Sequence, residues 1–178
     1  MAFIFNATPG SPTANSFATV AQANDWHSSQ LFGAAWDEVE EKEKALVTAT
    51  GLIVNVMALI GWAGWPVSTS QALPMPRSGI WGRNGGVISP YVNPPELINA
   101  TAEYALRLVQ AGALPDAPSD NPAGIKELVA GPVELVFDTA AQSGPLLDIP
   151  EGIWLMISFL AVNAGGRPGT ISFPLSRV

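Results

Sequence analysis

The spacing of apolar and polar positions along the chain predicts four helices. The first begins after Thr19, a favourable N-cap residue, and continues to about Ser29. The second begins at Asp37, because Asp37 and Glu40 have the spacing of a capping box, and it ends near residues 61–64. Apolar residues at helical spacing line one face of this second helix: Val39, Leu46, Ile53, Met57 and Ile60.

The other two helices are marked by proline at their start. The third runs from Pro95 or Glu96 to Ala111, and Gly112 stops it. The fourth runs from Pro150 to about Ala164. Between them, residues 125–138 alternate apolar and polar side chains about a turn at 130–132, which predicts a small β-hairpin.

The sequence QALPMPRSGIWGRNGG, residues 71–86, predicts an irregular loop, because proline and glycine interrupt helices and strands. We favour an ordered loop packed across the helices, with Arg77 tying backbone carbonyls or a carboxylate to it. The alternative is a surface excursion in which Arg77 is only solvated. The residues expected to build the ordered loop are Gln71, Leu73, Pro76, Arg77 and Gly79.

The predicted fold is therefore mainly α: a bundle of about four helices with a small β-hairpin and extended N- and C-terminal arms. We expect an N-terminal arm at 1–15, a helical domain at 16–164 with the hairpin at about 125–138, and a C-terminal tail at 165–178.

Composition narrows the classes of function. Only 13% of the residues are charged, against about a quarter in an average soluble domain, and the net charge is −7. A low charge indicates a surface covered by a partner or by further copies, and an acidic chain is a poor non-specific ligand for nucleic acid. The sequence has no cysteine and a single histidine, His27, so it offers no thiolate metal site.

Residues 45–67 carry no formal charge and are long enough to cross a bilayer. Small and polar side chains recur on one face, however, at Thr48, Gly51 and Asn55, and the preceding segment is acidic. We therefore expect no membrane span. Instead, this stripe of three residues is predicted to pack between subunits.

Candidate chemistry is sparse. We expect no enzyme, cofactor or metal, since Asp116, Asp120 and Asp138 lack a metal-binding spacing and no catalytic partner of His27 is marked. His27 is expected on a helix surface or at an interface. Trp81 with Arg77 and Arg83 offers the stacking group and the cations that a single-stranded-DNA-binding protein uses, but in a very acidic chain.

The C-terminal tail keeps apolar residues at every second position, which suits an extended segment added to a partner surface. Its expected contacts with that partner are Arg167, Ile171, Phe173, Leu175 and Arg177. The alternative is that this segment packs on the hairpin of its own subunit.

Several segments resemble a known family: NSFATVAQANDWHSS, AAWDEVEEKEKALVTATGLIV, QALPMPRSGI, NPPELINATAEYALRLV and IKELVAGPVELVF. They are similar, in order, to tailed-phage proteins labelled DnaT-like single-stranded-DNA-binding proteins, which in turn resemble head-to-tail adaptor or connector proteins. The family often has Trp at the position of Met75, and Tyr-Phe where this chain has Trp26 and His27.

The resemblance implies a virion protein at the head-tail junction, present in the host cytoplasm during assembly. It implies a homo-oligomeric ring of about 12 copies that binds the portal protein above and tail or nozzle proteins below. Genomic DNA would pass through the acidic lumen without specific binding. The alternative function, taken from the family label, is a single-stranded-DNA-binding replication accessory protein.

Overall fold

The computed structural model describes residues 3–112 and 149–162 in full, and the backbone of 127–130 and 133–136. The predicted mainly helical class is confirmed. Within these ranges lie α1 (Val20–Ser28), a 3-10 helix (Gly33–Trp36), α2 (Lys42–Ile60), α3 (Pro95–Ala111) and α4 (Glu151–Ile157), which continues as a 3-10 turn, Ser158–Leu160. Strand pairs are β1 (Trp65–Pro66) with β2 (Arg77–Ser78), and β3 (Glu127–Ala130) with β4 (Val133–Val136), both antiparallel.

Local capping signals placed α1 and α3 correctly. Thr19 is the N-cap of α1: its Oγ1 accepts from the Gln22 backbone N at 3.1 Å, and its own N donates to Gln22 Oε1 at 2.9 Å. The third helix begins at Pro95 and ends at Gly112, which adopts the left-handed conformation with φ of 65°. The hairpin predicted at 125–138 is present as β3 and β4.

The predicted start of α2 is wrong. Asp37 is not its N-cap: the Asp37 backbone N closes the 3-10 helix by donating to Ala34 O at 3.1 Å, and α2 begins at Lys42. The reason is tertiary, because Trp36 and Val39 both enter the core and the chain must turn between them. The local capping signal at Asp37 and Glu40 is overridden by that burial.

The predicted end of α4 is also too late. Its last helical turn finishes at Leu160, because Ala161 is extended and pairs with Trp62. The Val162 backbone N then donates to Gly61 O at 3.0 Å, which exchanges helical hydrogen bonds for bonds to a neighbouring segment.

One hydrophobic core joins the described helices. Helix α3 packs against α1, α2 and α4, and it buries Leu97, Ala100, Thr101, Tyr104 and Ala105. Helix α2 buries Leu46, Ile53 and Met57 as its apolar pattern predicted. Its 19 residues are long and apolar enough for a membrane span by length and composition, yet one face lies in this core as in many soluble core helices.

The N-terminal residues from 3 to 15 contain neither helix nor strand, and they fold back on themselves. Asn6 and Asn15 hold the ends of this loop together: Asn15 N donates to Asn6 O at 2.8 Å, and Asn6 N donates to Asn15 Oδ1 at 2.9 Å. The Ala72 backbone N donates to Ser11 O at 3.1 Å, so the arm is attached to the proline–glycine loop.

Candidate functional site

An extended segment after α2 organises the surface at that end of the molecule. Residues 61–63 bond to the end of α4, where the Ala63 N donates to Leu160 O at 2.7 Å. Residues 65–66 pair with 77–78, and Trp81 then pairs with Val87 in a second tight reversal. We call residues 61–67 and 77–88 the platform. Its backbone is held to α4 and to itself by hydrogen bonds, so the loop is ordered.

Arg77 ties the two segments of the platform together. Its Nε donates to Ala63 O and its Nη2 to Gly64 O, both at 2.7 Å, so the planar fork of one side chain binds two successive carbonyls. Partial burial lowers the pKa of the Arg77 guanidinium from its usual value, but arginine stays charged at any physiological pH. No carboxylate takes part in this contact.

The other predicted loop residues lie in the same structure. The Gln71 Nε2 donates to Leu73 O at 2.8 Å and to Pro76 O at 3.2 Å, which closes the proline-rich turn. Pro76 is buried and Leu73 is half-buried, and Met75 and Ile80 are fully buried anchors. Gly79 has a φ of 75°, and a Cβ at this position would meet the Trp65 ring, so the loop requires glycine there.

We expect Arg77→Lys to destabilise the fold by about 1–2 kcal/mol, because an ammonium keeps the charge but loses the two-carbonyl fork. Urea denaturation measures the change in the free energy of unfolding. The matched control is Arg83→Lys: Arg83 is exposed and lies over the Phe159 ring at 5.5 Å, where the exchange should cost about 0.5 kcal/mol or less. Equal losses in the two variants would contradict this role of Arg77.

The platform carries large exposed apolar side chains. Trp65 is 69% exposed and Trp81 is 65% exposed, Val67 and Val87 of the platform are exposed as well, and so are Leu59 near the end of α2 and Val162 after α4. Such a group of large apolar side chains on an ordered backbone is typical of an interaction surface. Sequence analysis placed Trp81 only in the DNA-binding alternative, and it did not identify Trp65.

The predicted stripe on α2 lies on the surface of the subunit. Thr48, Gly51 and Asn55 are all exposed, and nothing lies within 4 Å of the position that a Cβ on Gly51 would occupy. Among the described residues, therefore, nothing packs against Gly51, and the stripe is exposed.

His27 is not on a helix surface, contrary to expectation. It is 2% exposed, its ring stacks on Trp36 at 4.8 Å between centroids, and Nε2 lies 3.1 Å from Ala102 O. Burial lowers the pKa of His27, so the neutral ring is the form that the fold favours. The helical pattern gave no signal for this, since α1 is only weakly amphipathic.

A groove of about 860 Å³ opens beside His27. It lies near the start of α2, because His27 stacks on Trp36 and Lys42 lies over the same Trp36 ring, whereas the platform follows the end of α2. The groove lies between the 30–35 turn and the α3 residues Glu103, Leu106, Arg107 and Gln110. Leu31 and Phe32 form the outer corner of this turn and are 89% and 80% exposed. Sequence analysis missed both, because two adjacent apolar residues after a helix resemble the beginning of a core segment.

Most cations in the described ranges already have partners. Lys44 pairs with Glu41 at 2.9 Å and Arg107 with Glu103 at 3.0 Å, while Arg77 is bound to carbonyls. Lys42 lies over Trp36 and Arg83 over Phe159. The same ranges contain no group of three metal-ligating side chains. Arg167, Ile171, Phe173, Leu175 and Arg177 lie outside the described residues, as do Asp116, Asp120 and Asp138.

The fold and these surfaces define a small, mainly α-helical protein with an apolar platform at one end. The family model described as "Putative DnaT-like ssDNA binding protein" matches residues 1–177, and the chain belongs to this family. The family description names single-stranded-DNA binding, the alternative function expected from the sequence, and does not name the adaptor role. Comparison with curated proteins and with solved structures gives no significant match.

Proposed function

We propose that the protein is a structural subunit of a phage head-to-tail adaptor. In this role copies form a ring of about 12 beneath the portal, link it to tail or nozzle proteins, and continue the DNA channel. The observation that carries the proposal is the platform, where large apolar side chains are exposed on a backbone that is fastened to α4. An ordered apolar surface of this kind suits a permanent protein contact.

Charge supports the same function. The net charge of −7 gives the chain a field that repels phosphate, and the two ion-paired cations of the described surface, Lys44 and Arg107, are unavailable to it. A subunit that lines a channel benefits from this, because DNA held by cations would not slide. The proposed location is the head-tail junction of the virion, with the host cytoplasm as the place of assembly.

Replacing Gly51 with Leu tests whether the α2 stripe packs between subunits. None of the described residues lies within 4 Å of a Cβ at Gly51, so the fold should be kept, and should gain about 0.5–1 kcal/mol from the better helix former. Assembly should weaken, since overpacking costs about 1–3 kcal/mol at each contact. Thermal unfolding measures the first effect and mass measurement of the assembled particle the second. Gly51→Ala is the control, because it improves helix propensity without adding bulk.

If the Gly51→Leu variant assembles as well as the wild type, the stripe is not buried between subunits.

Single-stranded-DNA binding is the second candidate, and the family description favours it. The structure gives it one suitable feature: Trp81 is exposed on the platform near the exposed Arg83, a stacking group beside a cation. Against it stands the lack of a continuous basic groove on the described surface, where Arg83 and Lys42 are the cations bound to neither a carboxylate nor a carbonyl.

We expect affinity for an oligothymidine to be weak, about 10⁻⁴ M or weaker at physiological salt, because few cations can displace counterions. Fluorescence anisotropy at 50 and 200 mM salt measures this. Tight binding at 200 mM salt that is lost in Arg83→Ala and Trp81→Ala, but kept in Arg107→Ala, would establish the second candidate instead.

A further inference from the structure

We infer that the two ends of α2 carry the two halves of one contact between copies of this chain. In this contact, the Leu31–Phe32 corner of one copy and the acidic residues around it dock on the platform of the next copy. The inference rests on the proposed ring, and it adds two end surfaces to the stripe on α2.

The Leu31–Phe32 corner is built to present its side chains outward. The Gln30 N donates to His27 O at 3.0 Å and the Gly33 N donates to Gln30 O at 3.1 Å, so the turn is closed on both sides. Gly33 is buried directly against the His27 carbonyl, where a Cβ could not fit. Because the backbone of this turn is already held by hydrogen bonds, docking of its two apolar side chains would order little further backbone, which favours a docking role.

The surroundings of the corner are acidic. Residues 37–44 contain Asp37, Glu38, Glu40, Glu41 and Glu43 against two lysines, and all five carboxylates are exposed. This segment follows the corner after the 3-10 helix Gly33–Trp36, and Lys42 at the start of α2 lies over Trp36, 5.6 Å from the ring centroid. The corner is therefore an apolar projection at the edge of a negatively charged surface.

The platform end has the opposite character. Residues 45–95 contain no carboxylate and two arginines, Arg77 and Arg83, of which Arg83 is exposed. Trp65, Trp81 and Val87, on the same platform as Arg83, are exposed and apolar. An acidic apolar projection and a carboxylate-free apolar surface with an exposed cation are complementary in charge, which sets the orientation of docking.

The positions of the two surfaces select another copy as the occupant. They lie beyond opposite ends of a helix of 19 residues, which is about 28 Å long at 1.5 Å per residue. A surface and its complement at opposite ends of one molecule cannot meet within it. They join successive copies head to tail, the heterologous geometry that builds a ring when the rotation between copies closes.

Two assembly-deficient variants test the contact. The corner variant carries Leu31→Ser and Phe32→Ser, and the platform variant carries Trp81→Ser and Val87→Ser; all four side chains are exposed, so both variants should fold. In sedimentation equilibrium each variant alone should have a self-association constant at least about tenfold weaker than that of the wild type, since truncated anchor residues typically cost a factor of ten or more. Val109→Ser is the control, an exposed apolar residue of α3 outside both surfaces, and should associate like the wild type.

Mixing the two variants gives the decisive result. The intact corner of one and the intact platform of the other can pair once, so the mixture should form a 1:1 dimer and nothing larger. The inference is overturned if the mixture stays monomeric, if either variant associates like the wild type, or if the wild type is monomeric up to millimolar concentration.

Portal attachment of the wild type separates this inference from the adaptor role. If the mixed variants dimerise but the wild-type chain does not bind portals, the contact is supported and the adaptor role is contradicted. If the wild-type chain forms a ring on portals but the mixed variants do not dimerise, the adaptor role is supported and the proposed contact is contradicted.

Discussion

Truncation after Ala164 is expected to leave a folded subunit that no longer attaches to portals. The fold should survive because the last described residues, Ala161 and Val162, are kept, and they complete the pairing with Trp62 and Gly61. Attachment should be lost because the removed tail has apolar residues at every second position, a pattern suited to adding a strand to a partner.

The size of the effect follows from burial and from multiplicity. Placing Ile171, Phe173 and Leu175 in a partner would contribute roughly 5 kcal/mol per subunit before ordering costs. A ring makes this contact once in every copy, so its avidity for the portal, and the avidity lost on truncation, is larger than for a single subunit. Co-sedimentation with portal rings measures attachment, and circular dichroism measures the fold.

A finer variant serves as a check that does not shorten the chain. Ile171→Ser with Phe173→Ser should reduce attachment like the truncation, while Thr170→Ala with Ser172→Ala, on the alternate positions, should not. Unchanged attachment of the truncated chain, or a truncated chain that cannot fold, would contradict this role for the tail and favour packing on its own subunit.

Replacing Gly33 with Ala is expected to cause the largest loss of stability among single small substitutions, about 3 kcal/mol. Gly33 is buried against the His27 carbonyl, and this is backbone that cannot rotate away as a side chain does. Moving it would disturb the His27–Trp36 stack and the hydrogen bond from Trp36 Nε1 to Asn24 Oδ1 at 2.9 Å.

Gly51→Ala is the matched control for Gly33→Ala, because the chemical change is the same and the surroundings are open. It should stabilise the protein by about 0.5–1 kcal/mol through helix propensity. Urea denaturation, at a concentration where the chain is monomeric, gives both values. Changes of the same sign in the two variants would show that the tight fit at Gly33 does not govern stability.

The sequence predicted those features that depend on neighbouring residues. Thr19 and Gln22 form a capping box with local atoms alone, and Pro95 and Gly112 bound α3 through their own backbone preferences. The predicted start of α2 is wrong because burial of Trp36 outweighs the capping signal at Asp37. Local signals identify helix ends reliably only where no buried side chain competes with them.

The candidate site was predicted in part for a similar reason. The donor geometry of Arg77 indicated carbonyl or carboxylate partners, but only the folded chain brings Ala63 and Gly64 within 2.7 Å of it. The burial of His27 and the exposure of Leu31 reverse what their polarity suggests. Both depend on how α1 and the following turn meet α3, a long-range packing that no pattern in α1 encodes.

The most direct measurement is negative-stain microscopy, together with mass measurement, of the wild-type chain alone and mixed with the portal ring that the adaptor proposal requires. The structural role predicts a ring of added density on the portal, with about one chain per portal subunit. Bare portal rings, from a preparation that binds single-stranded DNA tightly at 200 mM salt, would contradict the adaptor role and leave the DNA-binding function in its place.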